Sequence, residues 1–315
     1  MDLFSHLNWY KSNNQQQQQQ DDNNSKPSIP VGKLIVLTDT LQAEGSFIIH
    51  HLLQASSKQS DSGVCLLALN QSFYHYNSVG RKLGYNLQNE NAKNKFSFIN
   101  GMSSSPYSWI DRLHAQQMEE EGVEEEPTLD NISKGFQPFP ITRLLNNQPT
   151  FSQFLQHIYT LFTQDHQKRL NYNPLSQTTF IIDNINILNT FNNLSNNNQQ
   201  NQNNNNNNRN NYNLDILNLI QYLHSYVNDN QNCSIVVLFH SDCNDDDTFF
   251  KLLQYESDIT IMVNSLQTGY SKDIDGQISF LQKNQTNHSL DIIQPIHYKV
   301  LDNQIKFFAL GSRMQ

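Results

Sequence analysis

Leu34-Ile35-Val36-Leu37-Thr38-Asp39 is a nearly continuous apolar run that ends in a carboxylate, and Thr40-Leu41-Gln42-Ala43-Glu44-Gly45-Ser46-Phe47 follows it directly. A short apolar run of this kind is typical of a strand that is buried on both faces of a sheet. From Gly45 to about Ser57 the apolar residues recur at helical spacing. The stretch therefore predicts a buried strand, a turn and a helix.

The same alternation of strands and helices continues along the chain. Further strands are predicted at 64–69, 96–99, 178–183 and 234–239, and further helices at 73–83, 151–162 and 214–227. Strands that alternate with helices indicate a parallel sheet, because each helix carries the chain back to the same edge.

The C-terminal quarter of the chain has a different pattern. Its strands are closely spaced, and Asp275-Gly276 and Asp302-Asn303 have the composition of hairpin turns. These strands are predicted at 259–263, 277–281, 297–301 and 304–308. We predict an α/β fold with a RecA-like core, in which a mostly parallel twisted sheet ends in C-terminal antiparallel hairpins.

Two segments rich in Asn and Gln lower the mean hydropathy of the 315 residues to −0.64. Without residues 11–29 and 192–213 the apolar fraction rises to about 42%, which is near the globular norm. We predict a disordered N-terminal extension over 1–30, followed by a single domain over 31–315. That domain carries an acidic loop at about 102–148 and a disordered insertion at about 192–213.

Composition also excludes several classes of protein. No apolar run is long enough to span a membrane, and the N-terminus lacks the pattern of a secretory signal. Three cysteines fit a reducing compartment better than a disulfide framework. A net charge of −9 argues against a chain that holds nucleic acid by itself, because affinity for phosphates comes from cations.

The turn after the first strand stands where a P-loop of sequence G-x-x-x-x-G-K-[ST] binds a nucleoside triphosphate. Thr40 replaces the first glycine, Gly45 matches the second, Ser46 replaces the lysine, and Phe47 replaces the hydroxyl residue that binds Mg²⁺. The neighbouring carboxylates also oppose phosphate. The sequence therefore predicts a degenerate P-loop with no ATP bound, no cofactor and no catalytic residue.

Two carboxylate groups lie at other predicted strand ends. Asp183 occupies the position of a Mg²⁺-organising carboxylate, but with Asn184 it is interpreted as a turn former that bonds the local backbone. Asp242 and Asp245 to Asp247 follow the fifth strand, where they would repel a phosphate backbone.

The remaining clusters favour structural roles. His240, Cys243 and Cys233 lack the spacing of a zinc site, so no metal site is predicted. His50-His51 is interpreted as one packed and one solvent-facing imidazole. The aromatic run from Phe73 to Tyr76 is interpreted as packing rather than base stacking.

Several separated motifs resemble the family of Elongator complex subunit 6, and the resemblance covers roughly residues 31–311. The matching residues are Leu37-Thr38-Asp39, Gly45-Ser46-Phe47, His50-His51, Ala68-Leu69, Gln71-Ser72-Phe73, His75-Tyr76, Thr268-Gly269, Asp273, Gly276-Gln277, Phe307-Phe308-Ala309 and Gly311.

This resemblance implies a RecA-like fold without nucleotide-binding motifs. It also implies a structural role in the accessory half of Elongator, where subunits 4, 5 and 6 form a hetero-hexameric ring. That ring binds tRNA and assists modification of the wobble uridine to 5-methoxycarbonylmethyl and 5-carbamoylmethyl forms, while the chemistry belongs to the catalytic subcomplex. The resemblance does not identify which residues contact tRNA.

Three alternatives stay open. The chain could be a divergent ring ATPase subunit that presents an arginine, such as Arg81 or Arg143, to a neighbour's nucleotide site. It could be a recombinase-paralogue adaptor that acts on DNA, or a RecA-shaped scaffold without a connection to nucleic acid. We expect cytoplasmic residence without a membrane, and the sequence leaves nuclear residence open.

Overall fold

The computed structural model describes residues 3–7, 9–11, 26–101, 136–138, 151–188, 205–242, 247–269, 271–284 and 289–312. The strands are β1 (Tyr10–Lys11), β2 (Lys26–Pro27), β3 (Leu34–Asp39), β4 (Ser62–Ala68), β5 (Phe96–Asn100), β6 (Phe136–Pro138), β7 (Gln177–Ile182), β8 (Cys233–His240), β9 (Ile259–Asn264), β10 (Gly276–Lys283), β11 (Leu290–Leu301) and β12 (Gln304–Ala309). The helices are α1 (Leu3–His6), α2 (Ser46–Ser57), α3 (Phe73–Lys82), α4 (Leu87–Ala92), α5 (Phe151–Tyr172), α6 (Asn205–Asp229) and α7 (Asp247–Glu256).

One ten-stranded sheet organises these elements. Its strands lie in the order β12-β11-β10-β9-β3-β8-β7-β4-β5-β6. Pairing is parallel from β9 to β6 and antiparallel from β9 to β12. The predicted fold class, a mostly parallel α/β sheet with antiparallel C-terminal strands, is confirmed.

The central strands separate two hydrophobic cores, because successive side chains of a strand point to opposite faces. Ile35 and Leu37 of β3 face a core that contains α1 and α2. Leu34 and Val36 face a second core formed with α5, α6 and α7. The continuous apolar run of β3 reflects this burial on both sides, since all six of its residues are buried.

The N-terminal segment packs against the domain, so the predicted disorder of 1–30 is wrong for 3–7, 9–11 and 26–30. Leu3, Phe4, Leu7 and Trp9 are all buried in the first core. The ring of Phe4 lies 5.1 Å from that of His51 on α2. These apolar residues precede the polyamide tract, and they supply the burial that the tract itself lacks.

Other boundaries also differ from the prediction. β6 lies within the predicted acidic loop 102–148, and α6 begins inside the predicted disordered segment 192–213. The rest of both segments lies outside the described residues. Besides α1, the described helices α4 and α7 are not predicted by the sequence. Helix α4 is mostly polar and is capped by the Asn86 side chain, which accepts hydrogen bonds from the amides of Gln88 and Asn89. Among the described residues, no helix has the length and hydropathy needed to cross a membrane.

Replacement of a buried aromatic side chain tests whether the N-terminal segment stabilises the domain. We expect Phe4→Ala to lower the free energy of unfolding by about 3 kcal/mol, because the ring is fully buried and its removal leaves a cavity. Chemical denaturation of the full chain would measure the change. Tyr74→Ala is the control, since that ring is exposed on α3. Equal stability of the two variants would show that the segment does not contribute.

Candidate functional site

The turn between β3 and α2 is held in one shape by hydrogen bonds. The backbones of Thr40 and Ala43 bond each other in both directions, with N···O distances of 3.3 and 3.0 Å. The Leu41 amide donates to the Asp242 carboxylate at 2.6 Å, which ties the tip of the turn to the end of β8. A rigid, narrow turn therefore replaces the open loop that cradles phosphate in a P-loop.

The carboxylate of Asp39 fills the centre of this turn. Its side chain is fully buried, and Oδ2 accepts a hydrogen bond from the Gly45 amide at 2.6 Å. Oδ1 forms a very short contact with Nδ1 of His240 on the neighbouring strand β8. The backbone amide at the start of α2, which could otherwise receive an anion, is thus bonded to a carboxylate of the chain itself.

Gly45 allows this close approach. A Cβ atom built at position 45 would lie 3.0 Å from Cβ of Asp39 and 3.4 Å from its Oδ2. A side chain at this position would therefore press against Asp39, which would have to shift by a few tenths of an ångström. The glycine that matches a P-loop in sequence therefore has a packing reason in this structure.

The two residues after Gly45 also make contacts within the chain. The Ser46 hydroxyl donates to the Glu44 carboxylate at 2.7 Å. Phe47 packs on Tyr298 of β11, with 4.6 Å between ring centroids. The side chain at the metal-binding position of a P-loop thus connects α2 to the antiparallel strands. The structure brings together all four predicted positions, Thr40, Gly45, Ser46 and Phe47, without a cation among them.

Asp183 lies at the end of β7 and connects distant parts of the chain. Its carboxylate accepts hydrogen bonds from the backbone amides of Leu69, Asn70 and Gln71, with the closest at 2.6 Å. It also accepts a bond from the Tyr76 hydroxyl at 2.9 Å. The prediction of a local turn former is therefore wrong for Asp183, and it holds only for Asn184, which bonds the amide of Asn186.

These bonds position the start of α3 at the carboxyl end of β4. Burial raises the pKa of Asp183 to about 6, although the hydrogen bonds from the amides of Leu69 and Asn70 and from the Tyr76 hydroxyl oppose that shift. Asp183 lies where an NTPase would have its Mg²⁺-organising carboxylate, and here it accepts hydrogen bonds from backbone amides and from a tyrosine hydroxyl.

The histidine pair on α2 is packed more tightly than predicted. His50 is buried, and its Nδ1 lies 3.0 Å from the Tyr85 hydroxyl. Burial, with a smaller contribution from His75, lowers the pKa of His50 to about 4. His51 is half-buried between the rings of Phe4 and Phe307, so the predicted solvent-facing imidazole is wrong.

The other predicted clusters do not assemble into a site. Cys233 is buried, and desolvation raises the pKa of its thiol, while Cys243 lies outside the described residues. Within the part of the chain that the structure describes, no group of three or more His, Cys, Asp or Glu side chains could hold a metal ion. Phe73 and Tyr76 pack in the first core, whereas Tyr74 is exposed.

The residues of the alternative hypotheses are only partly described. Arg81 is exposed on α3, and its guanidinium donates to the Gln88 side chain at 3.0 Å. Arg143 and the pair Asp245 and Asp246 lie outside the described residues.

A sequence profile described as "Elongation complex protein 6" matches residues 20–132 and 210–302, which is more than half of the chain. The chain belongs to the Elongator complex protein 6 family. The Elongator complex protein 6 of Dictyostelium discoideum is 44% identical over 356 residues, and the match covers 100% of both chains. The proteins of this name from Mus musculus and Homo sapiens are 27% and 25% identical, and each match covers 89% of this chain and 91% of the relative.

A solved structure with little sequence identity shares the fold of this family member. It is an uncharacterized protein of Pyrococcus horikoshii, solved in complex with an unknown peptide, which has a TM-score of 0.54 at 13% identity. That match covers 90% of this chain and 94% of the other, and it supports the predicted α/β fold. A KaiC-like protein of the same archaeon has a TM-score of 0.48 at 9% identity, with 90% and 92% covered.

Removal of the Asp183 carboxylate tests its role as a long-range connector. We expect Asp183→Ala to lower the free energy of unfolding by at least about 2 kcal/mol, because buried amides lose their acceptor. Asp183→Asn should lose less, since one side-chain oxygen remains to accept from Leu69. Denaturation with urea would measure both. The control Asp302→Ala removes an exposed carboxylate, and an equal loss there would contradict the assignment.

The Asp39–His240 pair predicts a pH dependence of stability. The hydrogen bond from His240 to Asp39 raises the pKa of the imidazole above its usual value of 6.5. The pair therefore stabilises the fold fully below pH 6.5, and the stabilisation is lost as the pH rises through the folded-state pKa. The difference in unfolding free energy between the wild type and His240→Asn should shrink with rising pH. A difference that stays constant with pH would contradict this.

Proposed function

We propose that this chain is a non-catalytic structural subunit of the Elongator accessory ring. The observation that carries the proposal is the Asp39 carboxylate, which bonds the Gly45 amide and His240 where a nucleotide-binding subunit would hold phosphate. The turn has no lysine to reach a triphosphate and no hydroxyl in place of Phe47 to bind Mg²⁺. Asp39, Glu44 and Asp242 add negative charge around it.

Membership of the family supports the proposed partners. The relatives carry the name of the Elongator complex, and we propose that this chain joins subunits 4 and 5 in a hetero-hexameric ring that docks to the catalytic subcomplex. In this assignment the carboxymethylating chemistry lies in another subunit. We propose that the chain's part is to shape the ring, in the cytoplasm or in both cytoplasm and nucleus.

The charge of the chain limits how it contributes to tRNA binding. A net charge of −9 attracts no phosphate backbone, so the partners supply the cations that hold tRNA. We propose that the chain supports modification of the wobble uridine only within the assembled complex.

Deletion of the gene and rescue with site variants would test both parts of the proposal. We expect deletion to abolish the 5-methoxycarbonylmethyl and 5-carbamoylmethyl forms of wobble uridine in tRNA, as measured by nucleoside mass spectrometry. A full chain with Ser46→Ala should restore both forms to the wild-type level, because in the described part of the chain this hydroxyl hydrogen-bonds to the neighbouring Glu44 side chain. Arg81→Ala should also restore them.

The outcomes separate assembly from catalysis. Unchanged modified nucleosides in a clean deletion would contradict the Elongator role. Failure of a folded Ser46→Ala chain to rescue would favour a nucleotide site in this turn. Failure of a folded Arg81→Ala chain would favour the alternative in which this subunit contributes an arginine to its neighbour.

A further inference from the structure

Among the described residues, helices cover only one face of the three antiparallel strands β10, β11 and β12. On the inner face, Ile278, Phe280, Ile296, Tyr298 and Phe307 are all buried in the first core. Helix α2 covers this face through the ring contacts of Phe47 with Tyr298 and of His51 with Phe307.

The outer face of the same strands remains accessible. Side chains alternate along β10, and the outward-facing Gln277, Ser279 and Leu281 are only half-buried. Ile292 lies opposite Leu281 in the strand pairing and is 79% exposed, and Leu290 beside it is 54% exposed. Phe308 and His297 form a further cross-strand pair on this face, with 5.8 Å between ring centroids. In the described ranges, none of these outward side chains is buried by a helix.

The helix layer stops at the border of this open face. Helices α5, α6 and α7 cover the corresponding face of the parallel strands. At the border, Tyr255 of α7 is exposed, and the Lys283 ammonium of β10 lies 5.0 Å from the centre of its ring. Leu252, one turn earlier on α7, is also partly exposed. The sheet and the flank of α7 therefore form two walls of a shallow apolar trough.

The dimensions of the trough match one helix. Three strands place the outer strand axes about 10 Å apart, and a helix with its side chains is roughly 10–12 Å wide. An antiparallel sheet can leave a polar face in water, so it is the exposed Leu290 and Ile292, rather than the open face itself, that indicate a covering element. One further helix beside α7 would extend the existing layer over the antiparallel strands.

Positive charge lies at both ends of the trough. Lys283 is at one end, and Lys299 and Lys306 face each other across β11 and β12 at the other end. Lys299 is paired with Asp275 at 2.6 Å, whereas Lys283 and Lys306 form no ion pair with any side chain that the structure describes. Asp275 relieves part of the repulsion between these directly opposed lysines, and an acidic residue of a partner beside Lys306 would relieve the rest. This cationic face belongs to a chain of net charge −9.

We infer that the outer face of β10–β12 docks an amphipathic helix of a partner protein that carries acidic residues near its ends. The apolar side of this helix covers Leu281, Ile292 and Phe308, and its acidic residues contact Lys283 and Lys306. The exposed isoleucine and leucine favour a protein over a nucleic acid, because they gain from apolar burial and offer nothing to phosphate. The identity of the partner as another Elongator subunit rests on the proposed function, but the docking surface does not.

A matched pair of exposed aliphatic residues tests the surface. Ile292→Asp places a charge in the trough, whereas Leu175→Asp changes a residue of equal exposure, 78%, on the connection between α5 and β7. Each tagged full chain is expressed in cells that lack the native gene, and the co-purified proteins are quantified by mass spectrometry. We expect Ile292→Asp to reduce the recovery of one partner at least tenfold and Leu175→Asp to leave it unchanged. Equal recovery with the two variants would overturn the inference, and equal melting temperatures would show that both are folded.

Photo-crosslinking identifies the occupant. A benzophenone side chain placed at position 292 of the full chain, within the purified complex, should crosslink to an acidic amphipathic helix of another protein. Crosslinks to RNA, or to a second copy of this chain, would overturn the inference. Such a helix from a protein outside Elongator would support the docking surface while contradicting the proposed function. If Ile292→Asp recovers Elongator subunits at the wild-type level, the result would support the proposed function and contradict the docking surface.

Discussion

The buried Asp39 carboxylate constrains the whole carboxyl end of the sheet. It links the last residue of β3 to the Gly45 amide at the start of α2 and to His240 on β8. A carboxylate with no exposed surface is stable there only because charged and backbone donors surround it. The same bonds fill the position that a triphosphate would need, so in the proposed function the stability of the turn and the absence of nucleotide binding have one cause.

The buried carboxylate of Asp183 has a similar role at another strand end of the sheet. Asp183 receives the backbone amides that follow β4 and the hydroxyl of Tyr76, and it thereby holds α3 against the sheet. In an NTPase, carboxylates at these strand ends would organise a metal and a phosphate group. Here the hydrogen-bonding capacity of these carboxylates is taken by the chain itself, which fits the structural role that we propose.

The sequence predicts the central strands well because runs such as 34–38 and 234–239 are apolar on both faces. It predicts less where stability depends on distant partners. The pairing of Asp39 with His240 requires β3 and β8 to be neighbours, which no local pattern reveals. The polar helix α4 depends on its Asn86 cap and on Glu90, which pairs with Lys95. The N-terminal segment was missed because the polyamide tract beside it dominates the composition.

The structure of the assembled complex in excess Mg–ATP would show most directly whether Asp39 keeps a triphosphate out of this turn. We expect the Asp39 carboxylate to stay hydrogen-bonded to the Gly45 amide, with no phosphate density within bonding distance of residues 40–47. A triphosphate bound in this turn, with Asp39 displaced from the amide, would contradict it.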